Sequence, residues 1–462
     1  MIRFCQQNKE SVLAKMLNGQ LDSVASSTTN FVDEIILAMH KKGVLGCLKN
    51  SIADKRADNT TIPFDLVLAL SIAAKMKIKT SLSDIPFAIT DHRALAELGY
   101  ALVDTDGDLD KGLMRESSLR FLIQKYSHTD FFSSYNNTVQ NYIMPKLDLV
   151  PDIHILDCTK LEVNYKNLNY EGSAIGKDND GKNARGYKLA TLRGITENSG
   201  IIEDIRFDSM NVHDLTLSED IIFNSPALKR GDILINDRGF LSRSVINHLK
   251  SKREVDVYVP LRKNMDIFKT AVSTAVLENN WTIHPNREHQ RIALVKNLGV
   301  FWDENNPKNN VDLNACVVWN YLPKSLYEDD YFVFVTTDLT QSASQIIKTY
   351  ELRPEIEEDY RQIKDFWKIE DFKSTNLTMI AFHITCVLFG YLFFQLYTML
   401  PEGEQYCKKS LPIILKNFIP KALNYLVFYV DYEFGIFKII EFAEFYYLLN
   451  DTIKARLKDL MG

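Results

Sequence analysis

The sequence predicts an α/β protein: a mixed sheet flanked by helices, with an N-terminal helical domain and an inserted β-subdomain. Three observations predict it. Apolar residues recur at helical spacing through the first 150 residues. From residue 151, short apolar runs follow a β-β-β-α-β-α-β order. Between 263 and 335 the runs "WTIHPN", "QRIALVKNLGVFW", "LNACVVWNYL" and "YFVFVTTDL" are β-prone, separated by turns rich in Asn, Asp and Pro.

Residues 1–150 read as the helical domain. "FVDEIILAMHKKGVLGCL" and "TTIPFDLVLALSIAAKMKIK" carry the helical spacing, and Thr60 and Thr61 before Pro63 mark a helix start. In "KTSLSDIPFAITDHRALAELG" a helix-turn-helix-like unit is weighed against a structural or dimerising role, because its basic content is thin.

Residues 151–262 form the first part of the core. "DIHILDCTKLEV" alternates and closes an apolar run on Asp157. "GYKLATLRGIT" and "GIIEDIRFDSM" are two further strands, and "NVHDLTLSEDIIFN" is helical. "GDILINDRGF" is a short buried strand ending on Asp237; the helix "SRSVINHLKSK" and the strand "VDVYVPLR" follow. Residues 263–335 make the insertion, 336–400 the second part of the core and 401–462 a C-terminal segment, with "YLVFYVDYEFGIFKI" read as one strand.

The composition narrows the function. Hydrophobic residues are 46% and charged residues 25%, ordinary for a globular protein. The formal charge is −6, so no global basic field marks a nucleic-acid partner, and DNA binding must rest on local patches. Residues 151–270 hold 18 Lys/Arg and 18 Asp/Glu, with basic groups in "HLKSKR", in "LRKN" and at Lys177, Lys182, Arg185 and Lys188. Six scattered cysteines without a C-x-x-C pair argue against a zinc site or disulfide framework and fit a reducing cytosol. "LTMIAFHITCVLFGYLFFQLYTML", Leu377 to Leu400, is long enough to span a bilayer. It carries His383 and Gln395 and has no companion span, so it is read as a buried core helix, with no membrane partner.

Asp157 and Asp237 each follow an apolar strand. Side chains at the ends of neighbouring strands share a crevice, and a carboxylate there needs a cation to offset its desolvation. Two such acids repel, and a divalent metal is the usual remedy. A third acid is offered by "YELRPEIEEDYRQIK", Tyr350 to Lys364. In a helix, Tyr350, Arg353, Glu357 and Lys364 fall within a stripe roughly 60° wide. All-oxygen donors suit Mg²⁺ or Mn²⁺ rather than Zn²⁺. Each acid alone has an ordinary reading as a turn or cap; the conjunction of three is what points to phosphoryl chemistry.

The order of elements, with a carboxylate helix after an insertion, resembles the ribonuclease H-like core of DDE transposases. It is most similar to the bacterial insertion-sequence branch with a Y-(2)-R-(3)-E-(6)-K signature, which Tyr350, Arg353, Glu357 and Lys364 match in full. "LDCTK", "NVHD" and "NDRGF" resemble that family's segments around its first two acids. The resemblance covers roughly residues 150 to 400. It implies that Asp157, Asp237 and Glu357 are catalytic and hold two Mg²⁺ or Mn²⁺ ions, and that Tyr350, Arg353 and Lys364 contact DNA phosphates. It implies a transposase that cleaves element ends and joins the freed 3′-hydroxyl to target DNA. The expected partners are terminal inverted repeats, target DNA and a second copy in a dimeric synaptic complex. The expected location is the bacterial cytoplasm, on the nucleoid. The first 150 residues would recognise the DNA ends, and residues 401–462 would serve dimerisation. A related nuclease without strand transfer and an inactive remnant acting as a DNA-binding repressor are the alternatives.

One departure stands out. Pro354 occupies a position where this family commonly has a bulky aromatic, and proline favours a kink or helix start there. Some relatives stack an aromatic near the insertion on a flipped base; Trp281 and Trp319 are candidates, against the reading that each packs the insertion. His154 is expected to pack inside its strand, His213 to serve a turn or cap, and His383 to sit satisfied in the apolar helix.

Overall fold

Two units make up the chain: Val139–Arg361, and Met1–Thr138 together with Gln362–Gly462. The computed structural model describes residues 2–3, 5–27, 30–57, 60, 62–89, 91–102, 114–178, 180–196, 200–298, 310–320, 330–407, 409–417 and 425–461.

The unit Val139–Arg361 is built on one sheet. Its strands are β1 (Ile153–Val163), β2 (Ala174–Lys177), β3 (Asn183–Ile195), β4 (Gly200–Ser209), β5 (Ile233–Asn236) and β6 (Asp256–Pro260), then β7 (Thr282–His284), β8 (Arg287–Val295), β9 (Asn314–Asn320) and β10 (Asp330–Thr336). They lie in the order β7-β8-β9-β10-β6-β5-β1-β3-β2, with β4 also on β3. β1, β5 and β6 are parallel, while β3 runs antiparallel to β1 and β4 antiparallel to β3. This is the mixed sheet the ribonuclease H-like resemblance implies. The insertion's strands are part of it, because β10 pairs with β6.

Both faces of the central strands are covered, which is why they read as continuous apolar runs. On one face Leu156, Leu234 and Val257 pack with α1 (Asp214–Asn224) through Ile221 and Ile222, and with α2 (Arg243–His248) through Val245 and Ile246. Each such fully buried aliphatic contributes roughly 1.5–3 kcal/mol. α3 (Asp266–Glu278) joins this core through Ile267, Ala271 and Ala275. The other face carries the acids, as set out below. In the insertion Trp281, Trp319 and Tyr331 pack on one another, with ring centroids 5.6–6.4 Å apart.

After β10 comes α4 (Ala343–Tyr350), started by a capping box in which Ser342 and Gln345 exchange bonds. It stops at Tyr350. Residues 351–353 form a turn, and Pro354 opens α5 (Pro354–Arg361), where its missing N–H is not needed. The continuous helix face expected from Tyr350 to Lys364 is therefore broken at the proline, and a π turn at Gln362–Phe366 follows Arg361.

In the other unit the apolar helix Leu377–Thr398 is buried over 89% of its most apolar window. Its rings meet those of the helix His128–Thr138: Phe382 lies 5.4 Å from Phe131 and Phe389 4.9 Å from Tyr135. Buried His383 places Nε2 3.2 Å from the Lys368 carbonyl. "KTSLSDIPFAITDHRALAELG" holds a 3-10 helix, Leu82–Phe87, and a six-residue helix, His92–Glu97. The stretch read as one strand is a hairpin, Tyr425–Val430 and Glu433–Lys438, whose two-residue turn has positive φ at Asp431 and Tyr432. Ser23–Ser27 pairs with it, so a strand lies in the first 150 residues, which were expected to be mainly helical.

Candidate active site

Asp157 lies in the middle of β1, not at its end. Leu156 pairs with Asn236 in parallel register, and pairing with β5 stops there, while β1 continues along β3 to Val163. The next residue on each strand is an acid, so Asp157 and Asp237 stand side by side where β1 and β5 part. Side chains alternate between faces, which places Asp157 with Thr191 and Arg193 of β3 on the face that α5 covers.

Four polar contacts fix α5 there. The Tyr360 hydroxyl donates to the Asp157 carbonyl at 2.7 Å and lies 2.7 Å from Thr191 Oγ1. Arg193, buried to 5% exposure, places Nε 2.7 Å from Asp359 and Nη1 2.7 Å from Glu355. One helical turn before Arg361, Glu357 therefore faces the two aspartates where pairing between the central strands β1 and β5 stops.

Arg353 joins the three acids. Its Nη2 is 3.1 Å from Asp157 Oδ2 and 3.9 Å from Asp237 Oδ2, and its Nη1 is 2.5 Å from Glu357 Oε1. Burial pushes the Asp157 carboxyl up to about 6, against the pull of Arg353 and of the Cys158 N–H bonded to it; the charges of Asp237 and Glu357 add to the rise. The guanidinium keeps its charge among three acids.

Tyr350 sits at the end of α4, its ring centroid 4.6 Å from that of Phe334 and its hydroxyl pushed up by burial. With Arg353, Phe332, Phe334, Arg287 and His284 it lines a cavity of about 270 Å³ beside the acids. Trp281 and Trp319 do not line that cavity. Lys364 belongs to the other unit, where its ammonium is 3.5 Å from Glu370. The structure thus brings together five of the six expected site residues and describes the sixth separately.

The donor set fits a hard divalent cation in kind: three carboxylates, all oxygen, already sharing one positive group. Among the described residues no group of three or more His, Cys, Asp or Glu side chains is arranged to hold a metal as it stands. The acids are arranged around a guanidinium instead.

The neighbouring residues are supports. His213 accepts from Leu215 N–H and caps α1, and Asp214 pairs with Lys188 at 2.6 Å. Cys158 is half-buried, its thiol pushed up by desolvation, which leaves it unreactive. His154 does more than pack: Nδ1 lies 2.7 Å from Glu203 and Nε2 3.0 Å from Asp232, all buried. Glu203 is the extra residue of a bulge in β4, and its carboxyl stands over Gly194, where a Cβ would approach within 2.5 Å. Tyr360, Arg193 and Asp359 were not found from sequence, since a Tyr and an Arg within a strand or helix carry no spacing signal.

A family model described as "Transposase DDE domain" matches residues 149–393, more than half of the 462-residue chain. No curated protein matches the chain.

Proposed function

Because the chain belongs to the transposase DDE domain family, we propose that it is an insertion-sequence transposase of the Y-R-E-K branch. It cleaves DNA at element ends and transfers the freed 3′-hydroxyl to a target phosphodiester. The observation that carries this reading is the meeting of Asp157, Asp237 and Glu357, from two strands and a helix, at one guanidinium.

The three acids are the residues that would hold Mg²⁺ or Mn²⁺, the kind of ion this family generally uses, and two ions suit the reaction. When bound, such ions lower the pKa of an attacking hydroxyl and neutralise charge on the phosphate oxygens. The protein's own groups do the rest. Arg353 offers a planar fork to a phosphate beside the reacting one, and Lys364 a point charge. The Tyr350 hydroxyl, protonated at neutral pH, donates a hydrogen bond at the cavity mouth. Tyr360 and the Arg193–Asp359 pair hold Glu357 in register with Asp157. Water as the attacking group gives end cleavage; a 3′-hydroxyl in the same place gives strand transfer.

By the same analogy residues 1–150 bind the terminal repeats, residues 401–462 serve a homodimeric synaptic complex, and the protein works in the cytoplasm on the nucleoid. The test is a nicking and joining assay on duplexes carrying the sequences that flank the gene. Cleavage and joined product in Mg²⁺, absent with chelator and in Asp237→Ala, are the expected result. Cleavage without joining would favour a nuclease, and end binding without cleavage a repressor.

A further inference from the structure

We propose that Arg353 couples metal loading to DNA binding: its guanidinium holds the three carboxylates until a DNA phosphate draws it away. The inference rests on the acids being the metal ligands and goes beyond that reading, because it gives the site an order of assembly.

The geometry has three parts. First, one guanidinium serves all three acids through its two terminal nitrogens, at 2.5, 3.1 and 3.9 Å, and no metal-ready cluster exists among the described residues with that side chain in place. A divalent ion on the same oxygens would bring a like charge against the guanidinium at contact distance. Arginine does not lose its proton, so loading requires the side chain to move. Second, the placement is incompletely satisfied. Nε of Arg353 is buried and has no hydrogen-bond partner among the described residues, a cost that a phosphate accepting two parallel N–H bonds would remove. Third, there is somewhere to go. Arg353 also lines the 270 Å³ cavity with Tyr350 and with Arg287, which is 3.5 Å from Glu351, so a phosphate at its mouth would meet a guanidinium and a hydroxyl and compete with one carboxylate for Arg287.

A side chain that occupies the ligands weakens apparent metal affinity by the fraction of time it leaves them open. If the guanidinium is in place nine-tenths of the time or more, the loss is on the order of tenfold or greater. DNA that recruits Arg353 restores that affinity, and by linkage the metal tightens DNA by the same factor.

The test measures Mn²⁺ binding to the full chain through the electron paramagnetic resonance signal of free Mn²⁺. It is done with and without a duplex carrying one gene-flanking end. In the unmodified chain the duplex is expected to tighten Mn²⁺ by about tenfold or more, and Mn²⁺ to tighten the duplex equally. In Arg353→Gln, Mn²⁺ should bind without DNA as tightly as the unmodified chain does with it, and the duplex should add nothing. Equal Mn²⁺ affinity of the unmodified chain with and without duplex overturns the proposal, and this arm needs no variant to fold. So does equal affinity of the two chains without DNA. Asp157→Asn separates the two readings: if it leaves Mn²⁺ binding intact, the acids are not the ligands and the proposed chemistry fails, whatever Arg353 does.

Discussion

The hydroxyl of Tyr360 donates to the backbone carbonyl of Asp157 at 2.7 Å, tying the helix that carries one acid to the strand that carries another. The same hydroxyl meets Thr191, so its loss leaves two buried polar groups unpaired. Tyr360→Phe is expected to cost about 1–3 kcal/mol, read from the denaturant midpoint. It should also lower the turnover of DNA cleavage more than it weakens DNA binding, because it loosens Glu357 against Asp157. An unchanged turnover would show that the contact only stabilises.

Arg193 and Asp359 form a buried pair beside it, each about 6% exposed at the side chain. Removing one partner leaves a desolvated charge. Arg193→Met should therefore destabilise by about 3–5 kcal/mol, while Arg193→Met with Asp359→Leu should recover most of that. Thermal melts of the two variants decide it: a double variant as unstable as the single one contradicts the pairing.

Asp157 carries a cost for its place. Its carboxyl titrates at about 6 in the fold, above the ordinary value near 3.9, so the folded chain binds the proton more tightly than the unfolded one. Stability is lost as pH rises through that window, between about 4 and 6. Asp157→Asn has no charge to desolvate. It is expected to abolish cleavage yet melt higher than the unmodified chain at pH 8, by about 1–3 kcal/mol. The advantage should vanish at pH 4. A lower melting point at pH 8 would contradict this reading.

His154 also makes stability fall as pH rises, but here it is the charged form that the fold favours. Burial pushes its imidazole down, but Asp232 and Glu203 outweigh that and hold it at about 9. Its folded value lies above the unfolded one, so its contribution is complete below about 6.5 and is lost as pH rises toward 9. His154→Ala should cost about 3–5 kcal/mol at pH 6, since two buried carboxylates lose their cation. The gap to the unmodified chain should narrow by pH 9.5. A pH-independent difference would mean that the histidine is neutral throughout.

Much of the unit Val139–Arg361 was legible in the sequence because its strands are buried on both faces and end on polar turns. "DIHILDCTKLEV" and "GDILINDRGF" announce themselves as apolar runs interrupted by an acid, and Pro354 marks a helix start that the structure places there. The extent of β1 was not legible: pairing with β3 carries it six residues past Asp157, and such pairing leaves no local mark. The hairpin at Asp431–Tyr432 was missed because its turn uses positive φ in residues without the usual Asn-Gly signature. That Arg353 reaches Asp157 and Asp237 was not legible either, since spacing along a chain says nothing about what a long side chain reaches across a fold.

Ser23–Ser27 lies against Tyr425–Val430, some four hundred residues later in the chain. One unit is thus assembled from two segments far apart in the sequence, whereas Val139–Arg361 is continuous. During synthesis the continuous unit can fold as it leaves the ribosome. The discontinuous one must wait with an unpaired strand until the hairpin emerges, which makes the nascent N-terminal segment a client for chaperones and a ready substrate for proteases.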